Sequence, residues 1–280
     1  MMFSDASNSS DSNIDSEINY SIGPSRKIRR TNYFVIFSVA IVLIIVSIFV
    51  IHNVSLNKIS DIQDVIILNN PTKEIVQDKI KARLPIIIND MIVKDDLLYE
   101  LTPYELRDGN PNYLLKSQEK ICSFADFIAE SRFIYNDPKF VKDFKMDFRV
   151  DRLLYGFKLG IHCNYKSEFS MFLSKNKLLQ EYNRNNVCVI LQLNGTLKIN
   201  LFHPAYSEDI KGLGDNIWSE KNDDINDSLV NVRYLHLEIK TGQILYIPPL
   251  WRWCSIVTEN CVYVKYTCDS YFTTIVNRLK

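Results

Sequence analysis

The stretch VCVILQLNGTLKINLF, residues 187–202, contains two short apolar runs separated by Asn194-Gly195. Aliphatic and β-branched residues dominate both runs, and each run is long enough for one strand. Asn-Gly is a strong signal for a tight turn between two strands, because both residues tolerate positive φ. These residues predict a β-hairpin, and with it an antiparallel sheet in the C-terminal half of the chain.

The pattern of short apolar runs continues after this stretch, at residues 232–239, 244–247, 255–257 and 261–267, with Thr241-Gly242 as a second turn signal. The preceding part of the chain has helical features. Thr72 before an amphipathic stretch predicts a capped helix, a strand follows at 86–88, and short helices are predicted near 103–106 and 123–129. Together these elements predict an α+β domain over residues 70–280 with a late antiparallel sandwich or barrel.

A membrane anchor is predicted near the N-terminus. Residues 1–32 form a polar tail, expected to be disordered and cytoplasmic, whose last part contains Arg26, Lys27, Arg29 and Arg30. An uncharged apolar run follows, and residues 33–52 are long enough for one transmembrane helix. The excess of basic residues before the span favours a cytoplasmic N-terminus, which puts the connector 53–69 and the domain on the lumenal or exterior side.

Composition argues against two classes of function. The 33 Lys+Arg balance the 33 Asp+Glu, so no global basic field exists to bind nucleic acid. Neither G-x-G-x-x-G nor G-x-x-x-x-G-K-[ST] occurs in the sequence, so a phosphate-binding loop is not indicated. The six cysteines all follow the predicted span and contain no C-x-x-C pair. Disulfides and buried free thiols are both open as interpretations.

Four stretches resemble one family. Residues 191–204, LQLNGTLKINLFHP, are similar to the hairpin q-x-x-G-x-K-x-x-x-L-f-x-P of the JmjC and cupin-like hydroxylases. Residues 242–251, GQILYIPPLW, are similar to their later motif G-D-v-L-y-I-P-x-x-W-W-H. Residues 71–88 and 101–104 resemble the family's opening helix and strand and its W-t-p-e-y-L turn. The resemblance implies a double-stranded β-helix, the jelly-roll fold of the cupins, with N-terminal helices.

The resemblance also indicates which functional residues have changed. Active members bind Fe(II) through H-x-D/E and a distal His, and they use 2-oxoglutarate and O2 to hydroxylate proteins or nucleic acids. In an alignment without gaps, the H-x-D positions fall at Tyr182 and Arg184, and the distal His falls at Trp253. Arg184 is expected in the interior, where a guanidinium would repel a dication, and the Trp253 indole offers no lone pair to a metal.

The cosubstrate positions are changed as well. The Lys that pairs with 2-oxoglutarate falls at Leu197, and a neighbouring Asn falls at Cys188. Lys198 is one residue away, and strand alternation predicts that it points out of the barrel.

The remaining residues near these motifs allow two interpretations. Trp251, Trp253, Tyr246 and Tyr263 could line a recognition pocket in the barrel mouth, with an inward Arg252 binding an anion, or these aromatic residues could fill the barrel. The acidic segment 207–231 is expected to be a solvated loop on the barrel rim.

We therefore expect a single-pass, membrane-anchored cupin-like protein that uses no metal or cofactor and acts as a binding or scaffolding module. Its partners would be membrane lipid around residues 33–52 and an unknown protein or peptide, and no nucleic acid is expected. The alternative is an Fe(II)- and 2-oxoglutarate-dependent protein hydroxylase with a rearranged ligand set, His162 with His203 or His236. A third hypothesis is a structural component of a membrane or an enveloped particle.

Overall fold

The computed structural model describes residues 26–56, 60, 62–89, 96, 98, 101–117, 120–130, 132–157, 163–211, 213, 217–218, 229 and 231–279. Most of the predicted N-terminal tail therefore lies outside the described residues. The chain divides into two units, residues 1–50 and 51–280, and each unit is described by itself.

One long apolar helix makes up the described part of the first unit. Helix α1 (Arg26–Leu56) contains the stretch Asn32–Ile51, which has a mean hydropathy of 3.4 and is not buried. A helix of these 20 residues is long enough to cross the hydrocarbon layer of a bilayer. The helix is therefore suited to be a membrane span or a signal anchor, as the sequence predicts.

Short helices flank the main sheets. They are α2 (Lys73–Lys81), α3 (Pro103–Gly109), α4 (Phe124–Ala129), α5 (Pro138–Asp143), α6 (Asp147–Leu153), α7 (Ser207–Ile210) and α8 (Tyr271–Leu279), with single 3-10 turns at Tyr155–Phe157 and Pro204–Tyr206. The predicted helices form near their start signals, but the Thr72 side chain makes no capping hydrogen bond at α2. Thr102 and Glu105 make a reciprocal capping box at α3, and the Ser123 hydroxyl accepts a hydrogen bond from the Asp126 amide at α4.

Thirteen strands are found among the described residues. They are β1 (Ile66–Asn69), β2 (Ile86–Asn89), β3 (Leu114–Ser117), β4 (Lys120–Ser123), β5 (Phe133–Asp137), β6 (Cys163–Phe172), β7 (Asn176–Tyr182), β8 (Val187–Asn194), β9 (Thr196–Phe202), β10 (Tyr234–Lys240), β11 (Ile244–Ile247), β12 (Arg252–Val257) and β13 (Cys261–Ser270). A seven-stranded sheet has the order β1-β2-β11-β8-β13-β6-β5, a four-stranded sheet has the order β10-β9-β12-β7, and β3 pairs with β4. Only the β1–β2 pair among these is parallel.

The Asn194-Gly195 turn joins two sheets and does not close a hairpin. Strand β8 pairs with β11 and β13, whereas β9 pairs with β10 and β12. The predicted strands are present, but the prediction that they pair with each other is wrong. Gly195 has φ +72°, and this left-handed conformation lets the chain leave one sheet and enter the other within a single residue. Thr241-Gly242 makes the same kind of crossover between β10 and β11.

The second unit packs around three apolar clusters. The first lies on the helix-covered face of the seven-stranded sheet and includes Phe140, Phe169 and Val189. The second lies between the two sheets, in a space that we call the interior, and includes Ile190 and Ile199. The third lies on the outer face of the four-stranded sheet. Because successive strand residues point to opposite faces, each strand position can be assigned to the interior or to an outer face.

The acidic segment 207–231 covers part of the four-stranded sheet. Its residues Ile210, Ile217 and Trp218 are buried in the third cluster with Phe202 and Ile256. The prediction of a solvated rim loop is therefore wrong for these buried apolar residues, whereas Glu208 and Asp209 are exposed. Apolar side chains are spaced between the acidic ones along this segment. They give it an apolar face that packs against the four-stranded sheet.

Five of the six cysteines have described side chains. These five side chains are buried thiols outside any disulfide: Cys122, Cys188, Cys254, Cys261 and Cys268. The sequence left disulfides and buried thiols open as interpretations, and these five residues are buried thiols.

Candidate functional site

The candidate site is the end of the interior where β7 ends and β8 and β12 begin, which we call the mouth. Strand pairing decides which side chains reach it. Glu181 pairs with Trp253, and Trp253 pairs with Leu201 of the interior cluster, so all three point inward. The register shifts between Trp253 and Ser255 and leaves one extra residue in β7, which is a feature of a β-bulge.

Large side chains fill the interior. Trp251, Trp253 and Tyr263 all belong to the interior cluster, and each is at most 5% exposed. The His203 ring packs edge-on against Trp251, with 5.2 Å between ring centroids. The sequence left two interpretations of the aromatic residues, a pocket and a filled interior. The filled interior describes these three side chains.

An ion cluster with a buried centre at Lys265 lies beside Trp253. The Lys265 ammonium is 3.1 Å from Glu168 Oε2 and 3.0 Å from Glu181 Oε2. These side chains come from three strands, β13, β6 and β7, and therefore from both sheets. Lys166 pairs with the other oxygen of Glu168, and the Tyr135 hydroxyl donates to the other oxygen of Glu181. We call these five residues the ion cluster.

The charges of the ion cluster stabilise one another in a poorly solvated space. The Lys265 side chain is 10% exposed, and those of Glu168 and Glu181 are 12% and 25% exposed. Burial by itself would lower the pKa of Lys265, but Glu181 and Glu168 outweigh burial, and the pKa is raised above its ordinary value. The ammonium is therefore protonated at neutral pH.

The two residues predicted at the H-x-D positions lie outside the interior. Tyr182 pairs with Arg252 on the outer face of the four-stranded sheet, and the Arg252 guanidinium lies 4.5 Å from the centre of its ring. Burial raises the pKa of Tyr182 despite Arg252 and Arg184, so the phenol stays protonated. Arg184 is exposed, which differs from its predicted interior position. At the end of β7, Glu181 is the side chain that points inward, and the buried Asn183 follows.

The predicted cosubstrate positions both lie in the interior. Cys188 and Leu197 are buried members of the interior cluster. Burial raises the pKa of Cys188 to about 12, so its sulfur is an uncharged thiol. Lys198 is exposed on the outer face, as strand alternation predicts.

The predicted pocket residues Trp251, Arg252 and Tyr246 do not converge. Trp251 lies in the interior, whereas Tyr246 lies in the first cluster against Phe157. Arg252 points to the outer face and donates from Nε to the Ser207 hydroxyl at 2.9 Å. These three residues therefore line no shared pocket, because alternate residues of β11 and β12 face opposite sides of their sheets.

The described histidines do not form a ligand set. His203 is buried, its Nε2 lies 2.6 Å from the Ser60 carbonyl oxygen, and its Nδ1 accepts from the Ala205 amide. Both ring nitrogens are therefore engaged. His236 is exposed on β10 and contacts Asn200 through Nδ1. His162, the centre of the rearranged ligand hypothesis, lies outside the described residues.

The interior side chains do not fit the Fe(II) and 2-oxoglutarate that the resemblance implies. Glu181 is a metal-competent carboxylate, but it holds an ammonium, and the facing Trp253 has no lone pair to donate. Within the described ranges, no three His, Cys, Asp or Glu side chains come together as metal ligands. The uncharged side chains of Leu197 and Cys188 offer no charged partner for a carboxylate of the cosubstrate.

No direct signal in the sequence marks the ion cluster. Its residues are distributed over β5, β6, β7 and β13, and nothing local identifies them as neighbours. One usable sign is the alternation Lys166, Glu168, Ser170, which puts polar groups on one face of a long strand.

No protein-family model matches the chain, and no curated protein matches it at a significant level.

Proposed function

We propose that this chain is a membrane-anchored, cupin-like protein of the JmjC type whose barrel has no metal-dependent activity and serves as a binding or scaffolding module. The proposal rests on the motif resemblance together with the contents of the interior. The observation that carries it is the pairing of Glu181 with Trp253 beside Lys265, at the mouth where the resemblance implies an iron site.

The strand order supports the proposed double-stranded β-helix. A jelly roll contains eight strands shared by two facing sheets. Strands β6 to β13 are divided four and four between the two sheets, as β11-β8-β13-β6 and β10-β9-β12-β7. The two glycine turns are the points at which the chain crosses between the sheets, and both glycines belong to the motifs that resemble the family.

The interior supports the absence of metal-dependent chemistry. An oxygenase site of this kind needs two imidazoles and a carboxylate on one face of the metal, with open positions for the cosubstrate and O2. The mouth instead contains indoles, an ammonium and two carboxylates that already pair with this ammonium. Such an interior stabilises the barrel, and it leaves the outer surfaces for binding.

The apolar helix supports anchoring of the domain to a membrane. We propose a single-pass topology with the N-terminus in the cytoplasm, because Arg26, Lys27, Arg29 and Arg30 precede the apolar run. The domain is then lumenal or exterior. Protease added to the cytosolic side of sealed vesicles should leave the domain intact, and digestion of the domain would reverse the proposed orientation.

The proposal is tested by assaying the purified full chain for conversion of 2-oxoglutarate to succinate in the presence of Fe(II), ascorbate and O2. We expect no succinate beyond that formed by Fe(II) without protein. The control is the His162→Ala variant, which removes the central residue of the rearranged ligand set. Succinate formation by the wild-type protein that this variant abolishes would contradict the proposal and support the hydroxylase.

A further inference from the structure

The ion cluster contains two carboxylates that converge on one nitrogen atom. Glu168 reaches Lys265 from β6, and Glu181 reaches it from the opposite sheet. The contact with Glu181 is a hydrogen bond, and the contact with Glu168 is an ion pair. The ammonium therefore occupies the point at which the two acidic groups are directed.

We infer that Glu168 and Glu181 form an interior cation site and that the ammonium of Lys265 is the cation that fills it. The inference rests on the proposed function and deepens it. It identifies the Lys265 ammonium as the group that takes the place of a metal ion in the interior. It also assigns the chemical class of ligand, a divalent cation, that the two carboxylates would bind if the ammonium were removed.

The two carboxylates alone would repel each other strongly. Two anions directed at one point in a space with little water need either a proton or a cation between them. Lys265 supplies a positive charge there, on a stem that approaches from β13. Glu168 pairs directly with Lys265 across β6 and β13, so the register of the sheet sets this contact.

The remaining contacts of the carboxylates hold them in place. Lys166 engages the second oxygen of Glu168, and Tyr135 donates to the second oxygen of Glu181. Removal of the Lys265 ammonium would therefore leave two oriented oxygen ligands around an uncharged gap. The Glu181 side chain is 25% exposed, so one of the two carboxylates is in partial contact with solvent.

The ligand class follows from the donor atoms. Carboxylate oxygens favour hard divalent cations such as Mn(II), Mg(II) and Ca(II), and water completes the coordination of such ions. Metal–oxygen distances of roughly 2.0–2.6 Å are shorter than the ammonium contacts, so each carboxylate would move inward by about 1 Å or less. Side-chain rotation of two glutamates can supply a movement of this size.

The test is a Mn(II) titration of the full chain in detergent, purified without a histidine tag and followed by the EPR signal of free Mn(II). Lys265→Met removes the charge and keeps much of the apolar stem. We expect this variant to bind one Mn(II) at least about tenfold more tightly than the wild-type protein, because the two carboxylates lose their internal cation.

Two further variants make the comparison specific. Lys166→Met removes a lysine that also contacts Glu168 but whose side chain is 58% exposed, so it should gain no Mn(II) affinity. Glu181→Gln added to Lys265→Met should abolish the gain. A folded Lys265→Met variant that binds Mn(II) no better than the wild-type protein overturns the inference.

A poorly folded Lys265→Met variant is tested through its stability. Mn(II) should then raise the unfolding temperature of this variant, and it should have no effect once Glu168→Gln and Glu181→Gln are added. An unfolding temperature of Lys265→Met that does not respond to Mn(II) overturns the inference. Tight Mn(II) binding by the wild-type protein has a different meaning, because it would contradict the proposed function itself.

Discussion

Asn183 links the two loops at the mouth through its side chain. Its Nδ2 donates to the carbonyl oxygens of Ile247 and Pro248 at 2.8 and 2.9 Å, and its Oδ1 accepts from the Asn185 amide. The side chain thus satisfies one backbone group of the β7–β8 loop and two next to the β11–β12 turn, where the non-glycine residue Leu250 has φ +70°. Because Asn183 is buried, water cannot readily replace it as a partner for these groups.

Asn183→Ala should destabilise the domain by roughly 2–4 kcal/mol, because it leaves buried backbone groups without their hydrogen-bond partner. The matched control is Asn194→Ala, which removes one side-chain hydrogen bond to the Asn260 carbonyl and should cost about 1 kcal/mol. Urea unfolding of the full chain in detergent measures both values. Equal losses in the two variants would show that Asn183 does not stabilise the mouth in this way.

The positions of single residues were the least predictable part of the site. Counting from the motifs assigned Trp253, Cys188 and Leu197 to the interior, and the structure places all three there. The same counting assigned Tyr182 to a place where the inward residue is Glu181. A shift of one position along a strand moves a side chain from one face of the sheet to the other. Glu181 points inward because it pairs with Trp253, and the sequence alone does not specify this pairing.

Among the strands, the apolar runs after residue 187 were predictable, and β6 and β7 were not. The apolar runs from residue 187 onward contain few polar residues at buried positions, and each of these runs forms a strand. Strand β6 points Lys166, Glu168 and Ser170 inward, and neither β6 nor β7 is predicted from the sequence. Periodicity identifies a strand by its apolar face, so the inward polar residues of β6 weaken the signal of that strand.

The crossover between β8 and β9 depends on Gly195. A Cβ at this position would lie 3.0 Å from Cys261 Cα and 3.1 Å from Thr258 Oγ1, and the residue has positive φ. Gly195→Ala should therefore destabilise the domain by roughly 1–3 kcal/mol.

Gly109 provides the matched control for this prediction. It ends α3, and an added Cβ there would meet no neighbouring atom within 4 Å, so Gly109→Ala should change stability by less than about 1 kcal/mol. Thermal unfolding compares the two variants. A Gly195→Ala protein as stable as the wild type would remove the conformational argument for the crossover.

In the molecule as a whole, the elements were more predictable than their arrangement. The apolar helix and the α+β class follow from composition and periodicity, because both are local properties. The division of strands between two sheets is a long-range property. An Asn-Gly pair specifies a tight change of direction, but the partner strands of β8 and β9 are decided by which faces the two sheets bury against each other.

Side chains from several distant elements fill the interior at the mouth. Trp251, Trp253, Lys265 and the glutamates Glu168 and Glu181 are held there by the packing of both sheets. In the proposed function, this filling takes the place of a metal and its cosubstrate. The interior is filled only when both sheets are assembled. The intact wild-type chain is therefore the right protein on which to test whether side chains occupy it.

The decisive experiment follows the EPR signal of free Mn(II) during titration with the wild-type chain in the presence and absence of 2-oxoglutarate. If side chains occupy the interior as proposed, the signal keeps the intensity measured in protein-free buffer under both conditions. Stoichiometric loss of the free Mn(II) signal at micromolar protein, strengthened by 2-oxoglutarate, would contradict the proposal.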